Sequence, residues 1–497
     1  IRNPISRNAD ILDAFDSITY RKGGGVLSMF ENYLGEDGFR DGMRLHMRRY
    51  EDGVADVNDF MTSLSDGAKD PDVVESFTSF IMQPGIPYLE VEFTCPAIDA
   101  GLIRVSQSRY APLGSTIDPT AQSWVIPLAI KMNGANGERT VREMFTGDAL
   151  EIPLDGGCPD WVLPNADGAG YWRFNLNETA WQSLVQNYTA LTAGEQLSFA
   201  DSLTAAFAAG DISAETLLNG LRINATGNWS AAQDPLPNLE YYLDALPDDA
   251  AREALQSYVM DTYGPRWEQL SSAAQETLSD GEKLLKSSLN DRLLTIGRLP
   301  EERARLADAA AAYVGVINDP DASALSPDIV QTAIAIAAET GDPAFFQAAL
   351  SYAQGASSQR ERRLTLYTLA GHGSEADVLG LMDLVRADAF QGQETWSVYM
   401  SALGNTAARA AVWDKFKADF DTVIATTPEI RKPQTAGLVA NFCTTADIDD
   451  AIAFVESKAD LIPGFERRLA QASESARLCA AFRAEKGNEL AAALLNP

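Results

Sequence analysis

The spacing of apolar residues changes twice along this chain, near Pro87 and near residue 177, and those changes limit what it can fold into. Ahead of Pro87, apolar side chains recur every three or four residues. Val26, Met29, Phe30, Tyr33 and Leu34 form one stripe, Phe39, Met43, Met47 and Tyr50 a second, and Val73, Phe77, Phe80 and Ile81 a third. That period buries one face of a helix. From Pro87 the pattern alternates, with Leu89, Val91 and Phe93 set against Tyr88, Glu90 and Glu92, as in a half-buried strand. Further strands are expected over 102–110, 124–132, 140–145, 150–154 and 171–176, separated by turn-rich stretches such as Asn133-Gly134-Ala135-Asn136-Gly137. Short strands with no helix between them predict a small antiparallel sandwich.

From about residue 177 the alternation is gone. Helix-length segments follow one another, broken at Ala209-Gly210-Asp211, Asn219-Gly220, Pro247-Asp248-Asp249 and Gly341-Asp342-Pro343. Leu255, Tyr258 and Val259 share one helix face, and Ile329, Ala333 and Ile336 another. Many helices of similar length suggest a curved stack of helix pairs, a solenoid-like superhelix. The expected fold is mainly α with a small β-sandwich, in three domains: 1–86, 87–176 and 177–497.

The first helical region holds the most informative stretch, FDSITYRKGGGVLSMFENYLG from Phe15 to Gly35. Gly23-Gly24-Gly25 open a helix, where small residues let another segment approach the backbone. Gly35 falls where that helix should stop. Tyr20 is then expected at the edge of a crowded junction. Asp56 is expected to cap a second helix, with Asp59 favoured by the dipole of its first turn.

Charge narrows the partners. With Lys+Arg 39 against Asp+Glu 70, the net charge is −31. So acidic a chain is repelled by nucleic-acid phosphates and by anionic membrane surfaces. No run of apolar residues is long enough to span a bilayer. Four cysteines do not make a disulfide scaffold. Cys95 with Cys158 and Cys443 with Cys479 would make two intradomain pairs, which suits a periplasmic or other extracytoplasmic compartment; four free thiols are the alternative. The run Gln359 to Arg363 (QRERR) and Arg467-Arg468 read as solvated helix faces.

The motif FD-x-I-x-Y-x-KG, a helix ending YLG, and then GFRDGMRLHMRRY resemble the zinc aminopeptidases of the aminopeptidase N type, the gluzincins. In that family Tyr-x-Lys-Gly-small is followed by a hydrophobic helix, Leu-Gly and a Phe-x-x-Gly helix. An Asn/Asp-rich helix start comes next, matched here by residues 56–60. A Gln-x-Gly-x-Pro segment then opens a β-domain, matched by Gln83, Gly85 and Pro87. Asn165 to Tyr171 resembles the last turn and strand of that domain. The resemblance implies the helical end of a thermolysin-like catalytic domain, then a β-sandwich, then an α-helical superhelix. It places the family's catalytic tyrosine on Tyr20. Gly24 departs from the pattern, since Ala or Ser is more common there.

A larger departure concerns the metal. The family's zinc site is a His-Glu-x-x-His helix plus a later Glu, all ahead of the tyrosine motif. Here only nineteen residues precede Tyr20, the only histidines are His46 and His372, and no His-Glu-x-x-His occurs. The Gly-x-Met-Glu-Asn segment that recognises a substrate amino terminus is also missing. Two histidines one turn apart are what let a helix bind zinc from one face. The chain thus resembles the C-terminal portion of a zinc metallo-aminopeptidase, with peptide substrates and with Zn2+ held in the full-length enzyme. Its partner would be the remainder of the catalytic domain upstream of Ile1, and alone it would be inactive. The alternative is a non-catalytic peptide-binding or scaffolding module.

Overall fold

In a computed structural model, residues 18–97, 100–155, 157–389 and 392–496 are described. The chain is mainly helical, with a small sheet region between two helical parts. A π-helical turn, Ile18–Lys22, leads into α1 (Gly23–Arg49), which is followed by α2 (Val57–Ala68) and α3 (Asp72–Met82). Gly35, at φ 70 and ψ 161, interrupts α1 where a helix end was expected, and the helix resumes beyond it. Asp56 caps α2 as anticipated. Its carboxylate accepts from the Asn58 and Asp59 amides, and the Asp59 carboxylate accepts from the Asp56 amide. Val73, Phe77, Phe80 and Ile81 are buried on α3. Met47 is 67% exposed, so the second stripe is displaced. α1 meets α2 through Gly42 instead, because a Cβ on Gly67 would lie 2.4 Å from the Gly42 Cα.

Seven strands follow among the described residues: β1 (Pro87–Ala97), β2 (Ala100–Arg109), β3 (Ile126–Gly134), β4 (Arg139–Phe145), β5 (Ala149–Asp155), β6 (Pro159–Leu163) and β7 (Arg173–Leu176). They form a four-stranded sheet in the order β5-β2-β1-β7 and a three-stranded sheet in the order β4-β3-β6. Val91 faces Val105 across β1 and β2, and Ile130 faces Val141 across β3 and β4. The expected all-antiparallel arrangement needs one correction, because β7 runs parallel to β1, with Leu89 opposite Phe174. β6 was not anticipated, since Trp161-Val162-Leu163 is a continuous buried run with no alternation to reveal it. Such runs are buried on both faces and carry no period.

The later helices are α4 (Glu178–Gln186), α5 (Ala193–Ala209), α6 (Ala214–Asn224), α7 (Trp229–Gln233), α8 (Asn238–Ala245), α9 (Asp249–Ser272) and α10 (Asp280–Thr295). After them come α11 (Pro300–Val314), α12 (Val330–Glu339), α13 (Pro343–Gly355), α14 (Gln359–His372) and α15 (Glu375–Leu384). The last four are α16 (Gly392–Gly404), α17 (Arg409–Thr426), α18 (Thr445–Ser457) and α19 (Glu466–Leu495). Three expected breaks separate helices: Gly210 ends α5 in a left-handed conformation, Asp248 caps α9, and Asp342 caps α13 ahead of Pro343. The fourth does not, because Gly220 lies inside α6. Leu203 packs so closely that a Cβ on Gly220 would sit 2.3 Å from its Cδ2.

By contact density the chain forms two compact units. One comprises residues up to Leu239, Thr262–Ser288 and those from Asn488 onward; the other comprises Glu240–Asp261 and Leu289–Gly487. Within the first unit the sandwich is bound to α5 by a buried ion pair, in which Lys131 Nζ lies 3.1 Å from Oε2 of fully buried Glu195. The second unit has an aromatic and aliphatic core that includes Leu366, Leu369, Tyr399, Trp413 and Phe416.

All four cysteines are paired, as Cys95–Cys158 and Cys443–Cys479. The second bridge closes a loop with a sequence separation of 36. A loop of that size restricts the unfolded chain by an amount worth about 2–4 kcal/mol. The double substitution Cys443→Ser/Cys479→Ser should therefore lower the unfolding free energy of the second unit by that amount in denaturant melts. An unchanged midpoint would contradict the bridge.

Candidate active-site segment

The π-turn that precedes α1 sends two neighbouring side chains in opposite directions. Tyr20 is 63% exposed, whereas Lys22 is buried to 5%. A buried ammonium must find acceptors. Lys22 Nζ donates to the carbonyl of Gln83 at 2.8 Å and to that of Gly85 at 3.0 Å. Gln83 lies just beyond the last turn of α3, where carbonyls lack helical partners. Its own side-chain amide donates to the Ser79 and Ser123 carbonyls, at 3.1 and 2.9 Å. The segment therefore joins α3, the chain leading into β3 and the Tyr20 turn.

Gly85 is required twice over. Its φ of +90 is left-handed, and a Cβ there would lie 2.5 Å from Arg109 Nε. That close approach brings the Arg109 guanidinium near Lys22. Burial, with the repulsion of Arg109 added, pulls the Lys22 ammonium down to about 8 from its ordinary 10.5.

The glycine cluster behaves as expected at one position. A Cβ on Gly25 would lie 2.7 Å from Tyr171 Cδ2. The Tyr171 amide also points at Met29 Sδ, 3.4 Å away, and its ring packs edge-on to Phe80. So the loop before β7 closes against the start of α1. Gly24 has nothing within 4 Å of where its Cβ would be.

The sequence drew attention to Tyr20 but gave no task to Lys22 or Tyr171, although both lie in quoted motifs. The available signal was a lysine two residues after the tyrosine, combined with a Gln-x-Gly-x-Pro segment able to offer it carbonyls.

Neither histidine is placed as a metal ligand. His46 Nδ1 lies 3.3 Å from Ser63 Oγ, whose hydroxyl donates to the Asp59 carbonyl at 2.7 Å. His372 Nδ1 is 3.1 Å from Glu339 Oε1, and Arg303 donates to the other oxygen of that carboxylate at 2.8 Å. Among the described residues, no group of three His, Cys, Asp or Glu could hold a metal ion. The described residues therefore do not fit a zinc ion.

The basic run on α14 also needs correction. Arg362 Nε donates to Glu394 Oε1 at 2.9 Å, Arg363 Nη2 donates to Gln393 Oε1 at 3.1 Å, and Glu394 is fully buried. These two arginines neutralise a buried carboxylate on α16 and are not a solvated face. Arg360, Arg467 and Arg468 are exposed.

Comparison with known proteins gives the family. The ERAP1-like C-terminal domain family matches residues 161–478, more than half of the chain. The peptidase family M1 domain matches residues 1–82. The chain belongs to the ERAP1-like C-terminal domain family and corresponds to the C-terminal portion of an M1 aminopeptidase-family protein. It is 22% identical to glutamyl aminopeptidase of Mus musculus over 85% of this chain and 44% of that protein. It is also 22% identical to endoplasmic reticulum aminopeptidase 2 of Homo sapiens, over 84% of this chain and 46% of the relative. With puromycin-sensitive aminopeptidase of Caenorhabditis elegans it shares 23% identity, over 58% of this chain and 31% of that one. The chain thus spans less than half the length of these relatives.

The packing at the glycine cluster gives opposite expectations for neighbouring residues. Gly24→Ala should raise stability by up to about 1 kcal/mol, since helix propensity improves and no neighbour is displaced. Gly25→Ala should cost about 1–3 kcal/mol, because overpacking against Tyr171 outweighs the same propensity gain. Equal melting temperatures for the two variants would contradict the Tyr171 contact.

Proposed function

We propose that this chain forms part of a zinc-dependent aminopeptidase that removes N-terminal residues from peptides, with the Tyr20 hydroxyl as its contribution to catalysis. One observation carries the reading: Tyr20 projects into solvent from a turn held by buried Lys22, within a stretch that matches the peptidase family M1 domain. When water adds to a peptide carbonyl, the oxygen becomes an oxyanion. A tyrosine hydroxyl can donate to that oxygen. A donor strengthened only as charge develops lowers the barrier without tightening ground-state binding.

The zinc of the complete enzyme belongs in this reading to residues outside the described set, and the chain as it stands is not active alone. Two further partners follow. One is the peptide substrate; the other is the remainder of the catalytic domain. The domain division at 86 and 176 is part of the same proposal, supported by the two changes of period. An oxidising, extracytoplasmic location is supported by the two disulfides. No helix among the described residues is long and apolar enough to cross a membrane. A non-catalytic binding or scaffolding module has less behind it, since the relatives bear the names of aminopeptidases.

In the longer protein carrying the zinc segment, Tyr20→Phe should reduce kcat by about 10²–10³-fold. KM, zinc content and melting temperature should stay near wild type, because the ring is retained and no ligand is lost. Near-normal turnover of the purified variant would end the catalytic assignment.

A further inference from the structure

The Tyr20 phenol projects from a π-turn of five residues, Ile18–Lys22. Single π-turns are rare and occur frequently at functional sites. At its far end the turn is continuous with α1, which Tyr171 fixes at Gly25. At the turn itself Lys22, two residues from exposed Tyr20, is buried and donates to two carbonyls.

We infer that Lys22 is a positioning residue for Tyr20: seated on the Gln83 and Gly85 carbonyls, its side chain fixes the orientation of the turn that presents the phenol. This rests on the proposed role of Tyr20 in oxyanion stabilisation. The acceptors are themselves held. Gln83 is bound through its side chain to Ser79 and Ser123, and Gly85 is wedged against Arg109. Lys22 is therefore attached to a rigid junction, and the same junction begins the β-domain at Pro87. The side chain is long enough to reach past the turn and buried enough that water does not compete for its hydrogen bonds. Its two acceptors match the two N–H groups that lysine keeps even when neutral, so the attachment survives loss of the ammonium proton. Displacing a reacting group by about 1 Å costs on the order of 10²-fold in rate. Loss of this restraint should thus appear in kcat.

The test is a double-substitution cycle in the longer protein that carries the zinc segment. Lys22→Met should lower kcat by about 10- to 100-fold, with KM and zinc content close to wild type. In the Tyr20→Phe background the same substitution should lower kcat little further, because Lys22 acts through Tyr20. Gly85→Ala, which disturbs the acceptor side instead, should reproduce that pattern and serves if Lys22→Met does not fold. Thr192→Ala, which removes the cap of α5, should lower the melting temperature and leave kcat unchanged. Two results would overturn the positioning role while leaving Tyr20 intact. One is reduced turnover in Tyr20→Phe with wild-type kcat in Lys22→Met; the other is an equal kcat loss from Lys22→Met in both backgrounds. Normal turnover in Tyr20→Phe would overturn the Tyr20 reading and this one with it.

Discussion

Taking an ammonium group out of water costs several kcal/mol unless acceptors replace the lost hydration. At Lys22 those acceptors are main-chain carbonyls, which cannot move without moving the chain that carries them. The carbonyls of Gln83 and Gly85 mark the end of α3 and the approach to β1. One side chain therefore joins the entry of the first long helix to the start of the sandwich. Much of the local structure is consistent with that requirement: the left-handed Gly85, the double side-chain hydrogen bond of Gln83, and the close lie of Arg109. A second contact, Tyr171 on Gly25, closes the same junction from the last loop of the sandwich.

Other buried charges in the chain are handled differently. Lys131 meets the carboxylate of Glu195, and Arg362 meets that of Glu394, so each charge is neutralised by an opposite one. Lys22 donates to two main-chain carbonyls instead, and Arg109 lies on its side of the balance. A cation held by dipoles beside another cation is easier to discharge than one held in an ion pair. This separates the junction near Tyr20 from the structural ion pairs Lys131–Glu195 and Arg362–Glu394.

The elements were legible in the sequence where one face is buried and the other wet. The stripe of Val73, Phe77, Phe80 and Ile81 and the alternation from Tyr88 to Phe93 are of that kind. Periodicity was silent where both faces are buried, as in β6, and misleading at Gly220, where a glycine serves helix packing and not a break. The parallel pairing of β7 with β1 was hidden because strand order is a property of the whole sheet. At the candidate site Tyr20 was reached through a resemblance of ordered motifs. The role of Lys22 was not, because its acceptors are carbonyls, and carbonyls leave no mark in a sequence. Arg362 and Arg363 of QRERR were misjudged for a related reason: their partner Glu394 is distant in sequence and shows no period of its own.

The central claim is that Lys22 is buried on two carbonyls at the foot of the Tyr20 turn. Its titration can be followed directly on the chain by NMR, through the Cε and Nζ resonances of isotopically labelled lysine, with Lys22→Met supplying the assignment. A lysine buried there beside Arg109 should titrate near pH 8. Titration at the ordinary value of 10.5, together with the exchange behaviour of a solvent-exposed ammonium, would contradict the account.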